Sequence, residues 1–218
     1  YVRGQPRPLF YQLMTLLGGL PPISWLGFSH MAPMPVDVLA RGVARITRLA
    51  LDAGVNIFDT ANNYNDGESE RIIGRFLKDT GQRGRVLLAT KVYYPMGDGP
   101  NDRGLSRYHI LRACEDSLRR LQTDRIDLYY VHWPVARLNL EEMARALEDL
   151  VAQGKILYPA VSNWAAWQIA KALGTSAHEG LARFECIQPM YNLTKRQAEV
   201  EILPLAQAEQ VGVISYSP

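Results

Sequence analysis

Ile126-Asp127-Leu128-Tyr129-Tyr130-Val131, then the run Leu140 to Val151, then Gly154, then Ile156-Leu157-Tyr158-Pro159-Ala160-Val161, is the stretch that decides the fold. The outer segments are short, apolar and rich in aromatic and β-branched residues, which predicts buried strands. The middle segment carries its apolar residues at helical spacing, and Gly154 marks its stop. Two strands joined through a helix run parallel, because antiparallel neighbours need only a tight turn.

The same unit recurs on both sides. Upstream lie a strand at Val86 to Thr90 and a helix from Arg107 to Leu121 behind the capping Ser106. Before them come a strand at Val55 to Phe58 and a helix at Ser69 to Leu77, with Ile72, Ile73, Phe76 and Leu77 as its apolar face. Earlier still, Ile23 to Phe28 reads as a strand and Val36 to Ala53 as a helix. Val43, Ile46, Leu49 and Ala50 form that helix's apolar face, and Gly54 ends it. Downstream, a helix at Ala165 to Leu173, a strand at Phe184 to Ile187, a helix at Lys195 to Glu209 and a strand at Val211 to Tyr216 complete the pattern. The total is about seven strands and six crossovers of roughly 30 residues each, the size of a βαβ unit. No Gly-, Ser- or Pro-rich linker divides the chain, so residues 1–218 read as one α/β domain.

Two architectures share this pattern, an open doubly wound sheet and a (β/α)8 TIM-type barrel. The turn after the first strand reads Gly27-Phe28-Ser29-His30-Met31. It lacks the G-x-G-x-x-G that lets a dinucleotide pyrophosphate approach the backbone in the open sheet. The barrel is the expectation.

Composition excludes several classes. Hydrophobic residues are 47% and charged residues 21%, ordinary for a globular domain. A net charge of +2 is far from a nucleic-acid binder's basic stripe. No stretch reaches the run of about 18 apolar residues needed to cross a membrane. Arg3 and Arg7 precede an apolar run from Leu9 to Leu20, but Pro21-Pro22 follows in place of a small-residue cleavage site, against a secretory signal. Cys114 and Cys186 form no C-x-x-C pair and suggest no metal site, so a reducing, cytoplasmic setting is expected.

In a barrel, catalytic groups gather at the C-terminal ends of the strands. There the chain places Asp59 and Tyr64, then Lys91, then His132, then Ser162 and Asn163, then Gln188, then Tyr216 and Ser217. Reducing a carbonyl by hydride requires a proton for the oxygen as charge develops on it. A tyrosine can give that proton, and a nearby ammonium makes it a better acid. Tyr64 would be the donor, Lys91 the cation, Asp59 the partner that holds Lys91, and His132 the group that orients the substrate oxygen. Singly, each residue has a plainer role. Asp59 suits a helix cap, Tyr64 a packing tyrosine, His132 a satisfied core histidine, and Ser162-Asn163 a cap for the next helix.

The motifs together resemble the aldo-keto reductase family. Phe58-Asp59-Thr60-Ala61-Asn62-Asn63-Tyr64 with Gly67-Glu68-Ser69-Glu70 is similar to the segment around that family's catalytic Asp and Tyr. Ala89-Thr90-Lys91 resembles its catalytic-Lys strand, and Asp127 to Pro134 its catalytic-His strand. Val161-Ser162-Asn163-Trp164 and Gln188-Pro189-Met190-Tyr191-Asn192 resemble segments that hold the nicotinamide carboxamide. Ser215-Tyr216-Ser217-Pro218 resembles the strand whose Tyr stacks on the nicotinamide ring. The resemblance implies a bacterial-type carbonyl reductase using NADPH, with NADH not excluded, and Ser162, Asn163, Gln188, Tyr216 and Ser217 at the cofactor. Tyr93, Tyr94 and Trp133 are expected to line an apolar substrate pocket. The glycine-rich stretch Met96 to Ser106 is expected to form a long loop on the catalytic face.

The chain departs from the family pattern at three places. Residues 1–22 do not match its opening hairpin, and Ser29-His30 stand where it has Gly-Thr. Leu157-Tyr158-Pro159-Ala160 replaces Arg-x-Ile-Gly, and Pro159 predicts a bulged or shortened strand. The pattern also predicts that the last helix-strand-helix portion of the barrel lies beyond Pro218, together with the loops that separate NADPH from NADH. Two other functions stay open at this point: a cofactor-binding regulatory subunit, and an inactive relative of the same fold.

Overall fold

The computed structural model describes residues 36–135 and 139–217. The expected strand at Ile23 to Phe28 and the turn after it lie outside these residues. The elements are α1 (Val36–Asp52), β1 (Ile57–Asp59), α2 (Glu68–Thr80), β2 (Leu87–Val92), α3 (Arg107–Leu121), β3 (Ile126–Val131) and α4 (Leu140–Ala152). They continue as β4 (Ile156–Ser162), α5 (Ala166–Glu179), β5 (Cys186–Gln188), α6 (Ile202–Ala208) and β6 (Gly212–Val213).

The strands form one parallel sheet in the order β1-β2-β3-β4-β5-β6. Each strand therefore lies beside its sequence neighbour. A doubly wound sheet would reverse direction at a switch point. The arc is that of a β/α barrel, as the turn at Gly27 predicts.

Strand periodicity separates two cores. Leu88, Val92, Tyr129, Val131, Val161 and Ile187 face outward and pack against helix residues such as Ile110, Leu147 and Ile169. Ala89, Leu128, Tyr130, Ala160 and Cys186 face inward and form their own cluster. Outside the sheet, Glu70 in the first turn of α2 is fully buried. It accepts from the Thr90 hydroxyl at 2.6 Å and pairs with Arg120 of α3. Gly74 makes the same helix contact possible, because a Cβ there would lie 2.5 Å from the Leu121 backbone.

Several expectations need correction. The helix expected over Lys195 to Glu209 is split into a 3-10 turn, Gln197–Glu199, and α6. Pro204 has no N–H to offer the Val200 carbonyl and crowds it, so a continuous helix is broken there and resumes with Pro204 in its first turn. The α1 helix stands, but its buried face runs through Thr47 and Leu51, while Leu49 is 60% exposed. Residues at i and i+4 share a helix face and the residue between them points away. Pro159 neither bulges nor shortens its strand. β4 runs seven residues and pairs in unbroken register with β3 from Tyr158 to Val161. The Pro159 carbonyl accepts from Glu185, so its missing N–H faces the same side, ahead of the first β4–β5 pair at Ala160 and Cys186. No ladder bond is lost.

Candidate active site

The candidate residues collect at the C-terminal ends of the strands. Lys91, near the end of β2, is 1% exposed. Its ammonium donates to Asp59 Oδ2 at 2.6 Å and to the Thr60 carbonyl at 2.7 Å. Asp59 is thus no helix cap; α2 begins behind Gly67, with no side-chain cap at all. The loop after β1 is fixed by the Thr60 N–H donating to Ala89 and the Asn62 N–H donating to Lys91, which continues the strand pairing past β1. That pairing brings Tyr64 over the cation. Lys91 Nζ lies 5.2 Å from the Tyr64 ring centre.

His132 follows β3, held by its N–H to the Val92 carbonyl. Its ring stands edge-on to Tyr64 at 5.8 Å and to Tyr94 at 5.0 Å. Burial, helped by the Lys91 charge, pushes the imidazole down to about 3, so it is neutral near pH 7. Its Nδ1 and Asp59 Oδ1 are buried without a hydrogen-bond partner among the described residues.

A second group stands beside the first. Ser162 ends β4 opposite Gln188 of β5, and its hydroxyl donates to the Gln188 carbonyl at 3.0 Å. Asn163 sits at φ 64°, a left-handed conformation that Asn tolerates better than most residues. Its amide donates to the His132 carbonyl at 3.1 Å and to Ser162 Oγ at 3.0 Å, and its Oδ1 accepts from the Tyr216 hydroxyl at 2.6 Å. The Ser162-Asn163 pair therefore straps three strand ends together and does not cap α5. Gln168 does that instead, accepting from the Ala165 N–H at 2.9 Å. Tyr216 is held beside them by a lone bridge from Met190 beyond β6. Ser217 bonds away from this group, its carbonyl accepting from Asn192 at 2.6 Å.

Of the aromatic residues expected at the pocket, Tyr94 meets His132, while Tyr93 packs partly against the outer core. Burial and then the neighbouring Tyr93 and Tyr64 phenols push Tyr94 upward. Burial and then Tyr64 and Tyr94 do the same to Tyr216. Tyr64 thus lies near enough to act on both Tyr94 and Tyr216. Trp133 is 43% exposed at its rim. The chain leaves regular strand pairing after Val92, so strand alternation does not assign the two tyrosines a face. The loop after them is built and not loose: Asp102 accepts from the Gly99 N–H and pairs with Arg112 of α3, and His109 bonds the Asn101 carbonyl.

The site thus holds a buried Lys91 paired with Asp59, a tyrosine ring close to the ammonium, and a neutral imidazole beside them, at the C-terminal ends of parallel β/α strands. The model of the aldo/keto reductase family matches residues 37–218, and the chain belongs to that family. It is 43% identical over 192 residues to an uncharacterized oxidoreductase, YrpG, of Bacillus subtilis, covering 84% of this chain and 59% of that protein. It is 38% identical over 169 residues to the aldo-keto reductase YhdN of the same organism, covering 78% of this chain and 49% of that protein. A probable voltage-gated potassium channel subunit beta of Arabidopsis thaliana is 34% identical over 198 residues, covering 90% and 60% respectively. The chain thus spans about half the length of the relatives it matches. No helix among the described residues is long and apolar enough to cross a membrane.

Proposed function

We propose that this protein reduces an aldehyde or ketone to an alcohol with NADPH, NADH not being excluded, and that Tyr64 is the proton donor. The observation that carries this reading is the buried Lys91 ammonium, paired with Asp59 and 5.2 Å from the Tyr64 ring centre. When bound, the reduced nicotinamide supplies the hydride. Tyr64 gives its proton to the carbonyl oxygen as charge grows there. The Lys91 ammonium favours the phenolate left behind. Asp59 and the Thr60 carbonyl keep that ammonium in place. His132, held neutral, cannot act as the acid near pH 7, and its ring N–H orients the oxygen.

The donor set fits a nicotinamide carboxamide. Ser162 and Gln188 are register partners, and Asn163 adds a second amide beside the flat Tyr216 ring. Both Asn163 N–H bonds are spent within the protein, so a carboxamide N–H would meet the second lone pair of its Oδ1, beside the Tyr216 hydroxyl that takes the first. Tyr94 and Trp133 make the walls apolar, which suits a neutral substrate. Both cysteines are free and buried, in keeping with the cytoplasm. Neither nucleic acid nor membrane is expected as a partner.

The test is aldehyde-dependent NADPH oxidation. Tyr64→Phe is expected to lose roughly 100-fold or more in turnover, the scale of one general acid. Equal rates for wild type and variant refute the assignment. A second reading is favoured by the potassium channel beta subunits among the similar proteins: a cofactor-binding regulatory subunit. Saturable NADPH binding without measurable turnover of any aldehyde supports that reading against the first.

A further inference from the structure

We infer that Tyr130 is a positioning residue for the Lys91 ammonium, clamped from behind by Cys186. Lys91 pairs with Tyr130, Tyr130 with Ala160, and Ala160 with Cys186, so one row crosses four neighbouring strands on the inner face. The small Ala160 leaves space between the two larger residues. Across it the Tyr130 hydroxyl meets Cys186 Sγ at 3.3 Å, and both groups are buried. On the other side of the row the Tyr130 ring centre lies 5.6 Å from Lys91 Nζ.

The cation needs such a support. Lys91 has three N–H bonds; one goes to Asp59 and one to the Thr60 carbonyl. What remains of the ammonium lies between the Tyr64 and Tyr130 rings. An aromatic face attracts a desolvated cation, and an ordinary core residue such as Leu would not. Tyr64 is the proposed reacting group, whereas Tyr130, fully buried on the inner face, acts only through Lys91. The hydroxyl–thiol contact gives Tyr130 a fixed tilt and satisfies its hydroxyl among the apolar Ala89, Leu128 and Ala160.

This inference rests on Lys91 as the cation that serves Tyr64, so its test is read without turnover. Lysine is labelled with 15N, and the Lys91 ammonium signal is identified by its loss in Lys91→Met. The readout is the exchange of its protons with water. In wild type that exchange is slow against the exposed lysines. Tyr130→Leu accelerates it by about tenfold or more, on the scale of a desolvated cation–π contact. Tyr130→Phe keeps the ring, loses only the clamp, and gives a smaller rise of about fivefold at most. Cys186→Ala matches Tyr130→Phe, and the double variant adds nothing further, as one shared contact requires. Folded Tyr130→Leu with wild-type exchange overturns the inference, as does Tyr130→Phe exchanging as fast as Tyr130→Leu. If Tyr130→Leu does not fold, the Phe and Cys186 variants decide, and no change in either overturns it. A protein with this exchange pattern and no carbonyl reduction refutes the proposed activity alone.

Discussion

Lowering the pH should destabilise this protein through His132. Burial and the Lys91 charge hold the folded imidazole down from 6.5 to about 3. The unfolded chain takes up a proton near pH 6.5, and the folded one resists until about pH 3. Between these limits the unfolded state binds more protons, so stability falls as pH falls. Near pH 7 the effect is almost absent. By pH 4 it reaches on the order of 3 kcal/mol, from about 1.4 kcal/mol per pH unit over the traversed window. His132→Phe keeps a ring against Tyr64 and Tyr94 and removes the titration. Urea unfolding followed by tryptophan fluorescence, at steps from pH 7 to pH 4, measures both proteins. The stability difference between them is expected to move by about 3 kcal/mol in the variant's favour across that range. Other acid-sensitive groups, including the buried His109, are common to both and cancel. Parallel curves would refute the claim that His132 is held neutral by its surroundings.

Other perturbations test separate parts of the structure. In Lys91→Met the His132 titration, followed by its ring proton resonance, should rise but stay below 6.5, because burial is the larger cause of its depression. Arg120→Ala leaves the fully buried Glu70 carboxylate without its cation and should cost about 3–5 kcal/mol in urea unfolding. Gly74→Ala drives a methyl into the Leu121 backbone, and a loss of about 1–3 kcal/mol is expected, with no change in cofactor titration. Asn163→Gly should keep the left-handed backbone at φ 64° and weaken NADPH binding, whereas Asn163→Ala should lose about 1 kcal/mol more stability.

The sequence alone determined the parallel β/α order. Short apolar strands alternating with amphipathic helices leave few other solutions, and α3 and β3 fall where their spacing puts them. It also determined which residues reach the mouth, because Asp59, Lys91, His132, Ser162 and Gln188 each sit at a strand end. What periodicity left open was decided by neighbours distant in the chain. The split at Pro204 has a local cause, a proline inside the Lys195 to Glu209 run, but apolar spacing reads straight through it. The tolerance of Pro159 was not, because it depends on which side its missing N–H faces and where β5 begins. Tyr94 and not Tyr93 meets His132, since the chain leaves strand alternation after Val92 and the loop fold sets the direction. Tyr130 and Cys186 look like ordinary core residues until register aligns them with Lys91 and Ala160. Local spacing records what one segment prefers; only the packed sheet sets which side chains share a row, and charge, burial and hydrogen bonding act across that row.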